Sequence, residues 1–229
     1  MTKHFIEYLL TAALAVMTAQ SCVSKIDPIF DESSANRVET LAERLNETLT
    51  SAPNGWLLEY YPSSGQYYGG FNVFLSFSEG NKVKVGSEVA GKGKTATSTY
   101  SIYQSAGCVL TLDTYNEVMH YFADPETTGG QGAGFGFEGD FEFNVLDLQD
   151  EKITLKGRKT GSTMTMTPMP VSMSWDDYIV ALKEEESAIS KHTRIRYQTA
   201  DNKYDGRING RTLEIFSEVD GEQVTTSYP

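Results

Sequence analysis

The sequence predicts an α+β protein that is mainly β, in which an antiparallel meander closes as a lipocalin-like barrel or as a two-sheet sandwich. Between residues 56 and 168, short runs rich in Val, Thr, Tyr and Phe are separated by Gly, Asn and Asp turns at close spacing. Such runs are typical of strands joined by hairpins. A segment with helical periodicity lies on each side of them. Closure of the sheet is favoured because it limits the number of exposed strand edges.

The first predicted helix begins at residue 33 or 34 and ends before Pro53. Its apolar residues recur at spacings of three and four, so they form one stripe that can pack against a core. These residues are Val38, Leu41, Ala42, Leu45 and Leu49. Pro53, followed by Asn54 and Gly55, ends the helix, since proline cannot continue it and Asn-Gly favours a turn.

Strand-like runs with a period of two follow this helix. They are Trp56–Tyr61, Phe71–Phe77, Lys82–Val85, Thr97–Gln104, Val109–Asp113, Glu117–Phe122, Phe141–Leu148, Lys152–Gly157 and Thr163–Pro168. In the run that begins at Glu117, a strand would place His120 on one face with Val118 and Phe122. The pattern therefore predicts a hydrogen-bonded histidine in the core or at the barrel rim, more readily than a metal ligand or a catalytic base.

A second helix is predicted near residues 174–190. Ser174 is typical of an N-cap, because Asp177 follows three residues later. The apolar stripe of this helix consists of Trp175, Tyr178, Ile179, Leu182 and Ile189. The three acidic residues from 184 to 186 are interpreted as a solvated face.

The chain is divided into four parts by these patterns. Residues 1–21 are a signal peptide, residues 22–32 a tether, and residues 33–192 a β-rich domain with flanking helices. Residues 193–229 form a turn-rich tail with one predicted strand at Leu213–Phe216, interpreted as the start of a truncated second domain.

Cys22 gives the strongest indication of where the protein is found. The apolar run from Phe5 to Ala19 is shorter than the roughly 20 residues that a membrane-spanning helix needs. It is typical of a secretion signal, and Cys22 directly after the small residues at its end resembles a bacterial lipobox. The sequence predicts export and a lipid on Cys22 that anchors the protein to the outer membrane, with the periplasmic or surface side left open. The alternative is an ordinary signal peptide that contains a cysteine.

Composition excludes several classes of function. The formal net charge of −12 disfavours nucleic acid, because phosphate neutralisation by Lys and Arg dominates that affinity. With Cys22 acylated, Cys108 has no partner, so a disulfide framework is excluded and Cys108 is predicted to be a buried small hydrophobe. Three histidines without ligand spacing predict no metal site, and no cofactor motif is found. We expect no enzyme activity, since no catalytic motif is present.

Candidate ligand contacts are Tyr67 and Tyr68. They lie between Gly65 and the Gly69-Gly70 pair, in a loop where an aromatic ring can present a flat apolar face and a polar tip. The glycine-rich stretch from residue 129 to residue 139 precedes a strand rather than a helix, which disfavours a dinucleotide loop. It is interpreted as a loop that can border a binding mouth.

Several ordered segments resemble a lipoprotein family of gut-type Gram-negative bacteria, catalogued as domain of unknown function 4302. They are Ser51–Pro62, Tyr68–Asn72, Leu112–Asn116, His120–Pro125, Gly139–Phe143 and Leu155–Gly161. The resemblance runs from about Cys22 to Thr199 and implies an N-terminal part of a longer family member. It further implies an outer-membrane lipoprotein associated with nutrient uptake, and it provides no reaction or catalytic residues.

The expected function is a non-enzymatic binding or accessory module of an outer-membrane uptake system. Its partners would be the membrane, through lipid on Cys22, and a glycan, a peptide or an outer-membrane protein. Two alternatives stay open. One is a hydrolase whose site is completed by a missing C-terminal part, which a carboxylate beside His120 in a cleft would favour. The other is a purely structural subunit, which a broad exposed apolar patch would favour.

Overall fold

The structure is a computed structural model that describes residues 34–127, 129–200, 202–219 and 222–229. The helices in this part of the chain are α1 (Ser34–Ser51), α2 (Glu117–His120) and α3 (Trp175–Ile189). The first eight strands are β1 (Trp56–Tyr60), β2 (Phe71–Ser78), β3 (Lys82–Ser87), β4 (Thr95–Gln104), β5 (Cys108–Leu112), β6 (Glu142–Gln149), β7 (Lys152–Gly157) and β8 (Thr163–Pro168). The last four are β9 (Arg194–Gln198), β10 (Lys203–Asn209), β11 (Thr212–Val219) and β12 (Glu222–Tyr228). Residues 1–33, which include the predicted signal peptide, lipobox and tether, lie outside the described residues.

Strands β1 to β8 form a closed antiparallel barrel, which confirms the predicted fold class. Each strand pairs with the next one along the chain, and β1 also pairs with β8. Trp56 lies opposite Leu75 of β2 on one side and Pro168 of β8 on the other. This double pairing leaves β1 without a free edge, so the meander closes as a barrel and not as a sandwich.

The interior of the barrel is filled by side chains that alternate along each strand. On β1, Trp56, Leu58 and Tyr60 are fully buried, while Glu59 between them is exposed. The same alternation recurs around the barrel, and its inward residues form one core cluster. An eight-stranded barrel is narrow enough for side chains alone to fill it.

Helix α1 packs at the barrel end where β1 begins. Its predicted stripe supplies Leu45 and Leu49, which are both fully buried in the barrel core. Trp56 Nε1 donates a hydrogen bond to the carbonyl of Leu49 at 2.9 Å, and the Tyr100 hydroxyl donates to Asn46 Oδ1 at 2.6 Å. These contacts attach the helix to strands on two sides of the barrel.

Helix α2 replaces the strand that was predicted at Glu117–Phe122, and that prediction is wrong. Asn116 caps the helix, since its Oδ1 accepts hydrogen bonds from the backbone N–H groups of Val118 and Met119 at 3.1 and 3.2 Å. Val118 and Phe122 are both buried. Val118 and Phe122 are four residues apart, and residues with this spacing share a face both in a helix and in a strand. The short run therefore fits either period. His120 therefore lies in a helical turn.

Aromatic rings fill the other end of the barrel. The ring centroid of Phe122 lies 4.8 Å from that of Tyr60 and 5.1 Å from that of Phe71. Phe137, from the glycine-rich loop, lies 5.3 Å from Phe71. Gly136 permits this placement, because its φ is +58° and a Cβ there would lie 2.2 Å from the carbonyl oxygen of Asp124. The mouth through which a lipocalin-like ligand would enter is thus occupied by side chains.

Helix α3 and a second sheet lie outside the barrel. The ring of Trp175 stacks on outward-facing Phe74 at 5.4 Å, and Ser174 caps α3 as predicted by accepting from the Asp177 N–H. The tail forms a four-stranded antiparallel sheet in the order β12-β11-β10-β9, and its one predicted strand falls within β11. Among the described residues, no helix has both the length and the hydropathy needed to cross a membrane.

Candidate ligand-binding cleft

A cleft of about 660 Å³ opens where the barrel, α3 and the second sheet meet. The barrel contributes Glu59, Tyr61, Gly70, Phe71, Asn72 and Glu88. Helix α3 and the residue after it contribute Leu182, Glu185, Glu186, Ile189 and Ser190. The second sheet and the residue after it contribute Ile195, Ile208, Gly210, Arg211, Thr212, Leu213 and Pro229. The lining therefore combines aliphatic side chains with carboxylates and one guanidinium.

The sheet wall of the cleft is apolar because of the strand register. Ile208 of β10 lies opposite Leu213 of β11, and Gly206 lies opposite Ile195 of β9. Since side chains alternate along a strand, Ile195, Ile208 and Leu213 all belong to the same face. The opposite face carries charged residues, among them the pair Arg207–Glu214 at 2.5 Å. The sheet thus turns its apolar face towards the cleft.

The helix wall follows from the spacing of residues on α3. Leu182, Glu185, Glu186 and Ile189 are three or four positions apart, so they line one side of the helix. The start of α3 is held to the barrel, because Trp175 Nε1 donates to the carbonyl of Asn54 at 2.9 Å. The aliphatic and acidic side chains of α3 are thereby aimed at the same space.

Arg211, in the turn between β10 and β11, attaches the second sheet to the barrel. Its Nη1 donates to Glu88 Oε1 at 2.8 Å and to the carbonyl of Gly70 at 2.9 Å, and the guanidinium lies 4.3 Å from the ring centroid of Phe71. Glu88 also accepts from the N–H of Asn72 at 3.1 Å, and its side chain is 5% exposed. We call Arg211, Glu88 and Phe71 the clasp. All three residues of the clasp line the cleft.

Carboxylates from three segments act electrostatically on the Tyr178 hydroxyl. This hydroxyl donates to Asn72 Oδ1 at 3.2 Å. Its pKa is raised, first by burial and then by the negative charges of Glu88, Glu59 and Glu185. Glu88 is neutralised by Arg211 in the clasp. In the part of the chain that the structure describes, Glu59 and Glu185 have no cation within ion-pair distance.

The predicted contacts Tyr67 and Tyr68 lie outside the cleft lining. Tyr67 is 75% exposed, so its ring is accessible. Tyr68 packs edge-on against Phe137 at 5.4 Å, and its buried hydroxyl has no hydrogen-bond partner among the described residues. Their role as ligand contacts stays a prediction, and of the two only Tyr67 presents an open ring. Cys22, the predicted lipidation site, lies outside the described residues.

His120 and Cys108 occupy packing environments. The His120 ring stacks on Phe141 at 4.6 Å and lies 5.1 Å from Tyr115, while burial lowers its pKa. Its Nδ1 lies 3.2 Å from the backbone nitrogen of Asn116. Cys108 is 1% exposed inside the barrel, and burial raises the pKa of its thiol. No group of three or more His, Cys, Asp and Glu that could hold a metal ion occurs within residues 34–229 as far as they are described.

Sequence reasoning missed the residues that matter most here. Glu59 alternates out of a barrel strand, and Glu185 belongs to the acidic run that was interpreted as solvated; both are exposed and both line the cleft. Arg211 gave no signal as an isolated turn residue. One sequence signal could have been used. Ile195, Ile208 and Leu213 each lie between polar residues in a strand, a pattern that predicts an apolar sheet face that packs against another element.

The fold and the cleft together define a mainly β protein with a filled barrel and a concave surface outside it. The chain belongs to the family described as Domain of unknown function (DUF4302), whose model matches residues 26–228. The resemblance drawn from the sequence is thereby confirmed, and the match extends through the second sheet. Comparison with curated proteins and with solved structures found no match to this chain.

Proposed function

We propose that the protein is a non-enzymatic binding module of the cell envelope, anchored through lipid on Cys22, that holds its ligand in the cleft. The observation that carries this proposal is the cleft itself. At about 660 Å³ it falls within the range of roughly 300–1,000 Å³ typical of ligand sites. Its lining combines aliphatic side chains with polar and charged groups that can orient a ligand. The barrel interior, by contrast, is filled.

The environments of His120 and Cys108 support a non-enzymatic role. Within the described residues, His120 has aromatic neighbours and no hydrogen bond to a carboxylate. A nucleophilic thiol requires a stabilised thiolate, and burial of Cys108 disfavours the charged form. No observation favours the hydrolase alternative. The envelope location and the accessory role in nutrient uptake rest on Cys22 and on the family resemblance.

A pair of matched variants tests the cleft as the ligand site. Ile189 is 51% exposed and lines the cleft, whereas Leu146 is 55% exposed on the barrel wall outside it. We expect that oligosaccharide or random-heptapeptide panels contain a compound that raises the melting temperature of the full chain, since binding to the folded state must stabilise it. Ile189→Glu should abolish this shift and Leu146→Glu should keep it. A shift that survives Ile189→Glu would place the ligand elsewhere and overturn the proposal.

A structural subunit of an envelope complex is the second candidate. Tyr197, Val224 and Tyr228 lie on the apolar face of the second sheet and are 58%, 40% and 52% exposed. A photo-crosslinking residue introduced at Tyr197 should then trap one discrete protein in the native envelope, while the same residue at Leu146 should not. Equal crosslinking from both positions would count against this candidate.

A further inference from the structure

We infer that the cleft selects an extended peptide with a lysine or arginine side chain, whose cation lies between Glu59 and Glu185. This inference deepens the proposed function and rests on it. The size of the cleft alone does not determine the chemical class of the ligand, but its shape and its charges do.

The shape of the cleft favours an extended chain. Its sheet wall draws on β9, β10 and β11, and on Pro229 directly after β12, so it crosses the full width of the second sheet. Four strands at the usual spacing of about 4.8 Å extend over about 14 Å. An extended peptide of four residues spans a similar length, about 13–14 Å. The space is therefore a groove. Alternate side chains of a bound extended peptide can face its floor, which we define as the aliphatic residues of the sheet wall and the helix wall.

The floor favours aliphatic side chains over sugar rings. The aliphatic residues of the lining are Leu182, Ile189, Ile195, Ile208 and Leu213. Sugar rings stack on open aromatic faces, and the lining contains two aromatic rings. The Phe71 ring is covered by Arg211 at 4.3 Å and by Phe122 at 5.1 Å, and Tyr61 is half-buried. The floor is thus better matched to valine, isoleucine or leucine side chains than to a glycan.

The charges favour a cation. Four carboxylates and one guanidinium line the cleft. Arg211 is shared by Glu88 at 2.8 Å and Glu186 at 3.9 Å, so its positive charge is already balanced by two carboxylates of the cleft. Glu59 and Glu185 remain, one from the barrel and one from α3, and both contribute to the negative potential at Tyr178. A lysine or arginine between them supplies the missing positive charge, and the net charge of −12 favours its approach.

Selection from random displayed heptapeptides on the full chain tests this inference without presupposing a sequence. Enriched peptides should combine a basic residue with aliphatic residues, and binding should weaken at high salt. Fluorescence polarisation then measures the affinity of each peptide and of its analogue, in which norleucine replaces the basic residue. The Glu59→Gln/Glu185→Gln protein is measured beside Glu43→Gln/Glu151→Gln, which makes the same charge change at exposed positions outside the cleft.

We expect the norleucine replacement to weaken binding to the native protein and to the control about tenfold or more, as for close charge pairs at interfaces. The same replacement should have no effect on Glu59→Gln/Glu185→Gln. Some peptides could lose their binding in Ile189→Glu and yet bind equally well after the norleucine replacement. That result would overturn the inference and retain the proposed function. A glycan that binds in the cleft would do the same. Peptide binding unaffected by Ile189→Glu would overturn both.

Discussion

Arg211 and Glu88 are 123 residues apart in the chain, yet their side chains form an ion pair of 2.8 Å in which the carboxylate is almost fully buried. The pair joins the turn of the second sheet to the segment after β3 of the barrel. Since Glu88 also accepts from the backbone of Asn72, the carboxylate has partners on both sides. This relationship holds the walls of the cleft together.

Replacement of Arg211 by methionine should destabilise the fold by about 3 kcal/mol, because a buried carboxylate loses its counter-charge. Methionine keeps the apolar contact with Phe71, so the loss reports mainly on charge. Urea unfolding of Arg211→Met measures this free energy. The Glu88→Gln/Arg211→Met double variant should be more stable than Arg211→Met alone, because its buried amide carries no charge.

Arg196 provides the control for that experiment. It pairs with Asp205 at 2.7 Å in the same sheet, but both side chains are 61% exposed. Arg196→Met should therefore cost far less than Arg211→Met, since exposed ion pairs contribute little. Equal losses from the two variants would show that the clasp has no special role.

The stability of the protein should depend on His120 below neutral pH. Burial lowers the pKa of His120 from the ordinary value of about 6.5. Between the lowered pKa of the folded state and the ordinary pKa of the unfolded state, the unfolded chain binds more protons than the folded one. The free energy of unfolding therefore falls as the pH decreases through this range. His120→Phe removes this contribution. In urea titrations, the stability of His120→Phe relative to that of the native protein should increase from pH 8 to pH 5. A stability difference that does not change with pH would contradict this role of His120.

Cys108 should react with thiol reagents only when the barrel opens. Its thiol is buried and its pKa is raised by that burial, so both access and thiolate formation are disfavoured. The sequence contains two cysteines, and Cys22→Ser leaves Cys108 as the sole thiol. Labelling of this variant by a chromogenic disulfide should be slow in buffer and fast in urea. Fast labelling in buffer would show that the barrel wall is open at β5.

The glycine-rich loop should be intolerant of a side chain at Gly136. An added Cβ would lie 2.2 Å from the carbonyl oxygen of Asp124, so Gly136→Ala should cost about 2–4 kcal/mol through backbone displacement. Gly80 has a similar positive φ of +72° but open space around it. Gly80→Ala should cost about 1 kcal/mol, from conformational strain alone. Thermal unfolding of the two variants compares them, and equal costs would mean that the loop yields easily.

The sequence predicted most of the fold because local pattern determines most of it. The stripe from Val38 to Leu49 and the period-two runs correspond to α1 and to the eight barrel strands. The failure at Glu117–Phe122 has a physical cause, since six residues are too few to separate a period of two from one turn of helix. Asn116 favours the helical turn by capping it, because its side-chain oxygen accepts hydrogen bonds from backbone N–H groups that would otherwise be free to pair in a sheet.

The candidate site could not be predicted in the same way. Glu59 and Glu185 are solvated residues on their own elements, and they become one site only because α3 packs across the barrel wall. Arg211 acquires its role when the β10–β11 turn reaches Glu88. These are consequences of how elements dock, and hydrophobic periodicity carries no information about which exposed charges become neighbours.

Because the described polar contacts between the second sheet and the barrel converge on Arg211, we expect the sheet to open separately from the barrel. Its outer strand β12 is exposed along its whole length, which is typical of the least protected part of a fold. Opening of the sheet dismantles the cleft, so any compound held there must slow that opening. Occupancy would then be visible as delayed amide exchange in β10 and β11, far from the barrel core, even where the global melting temperature barely changes.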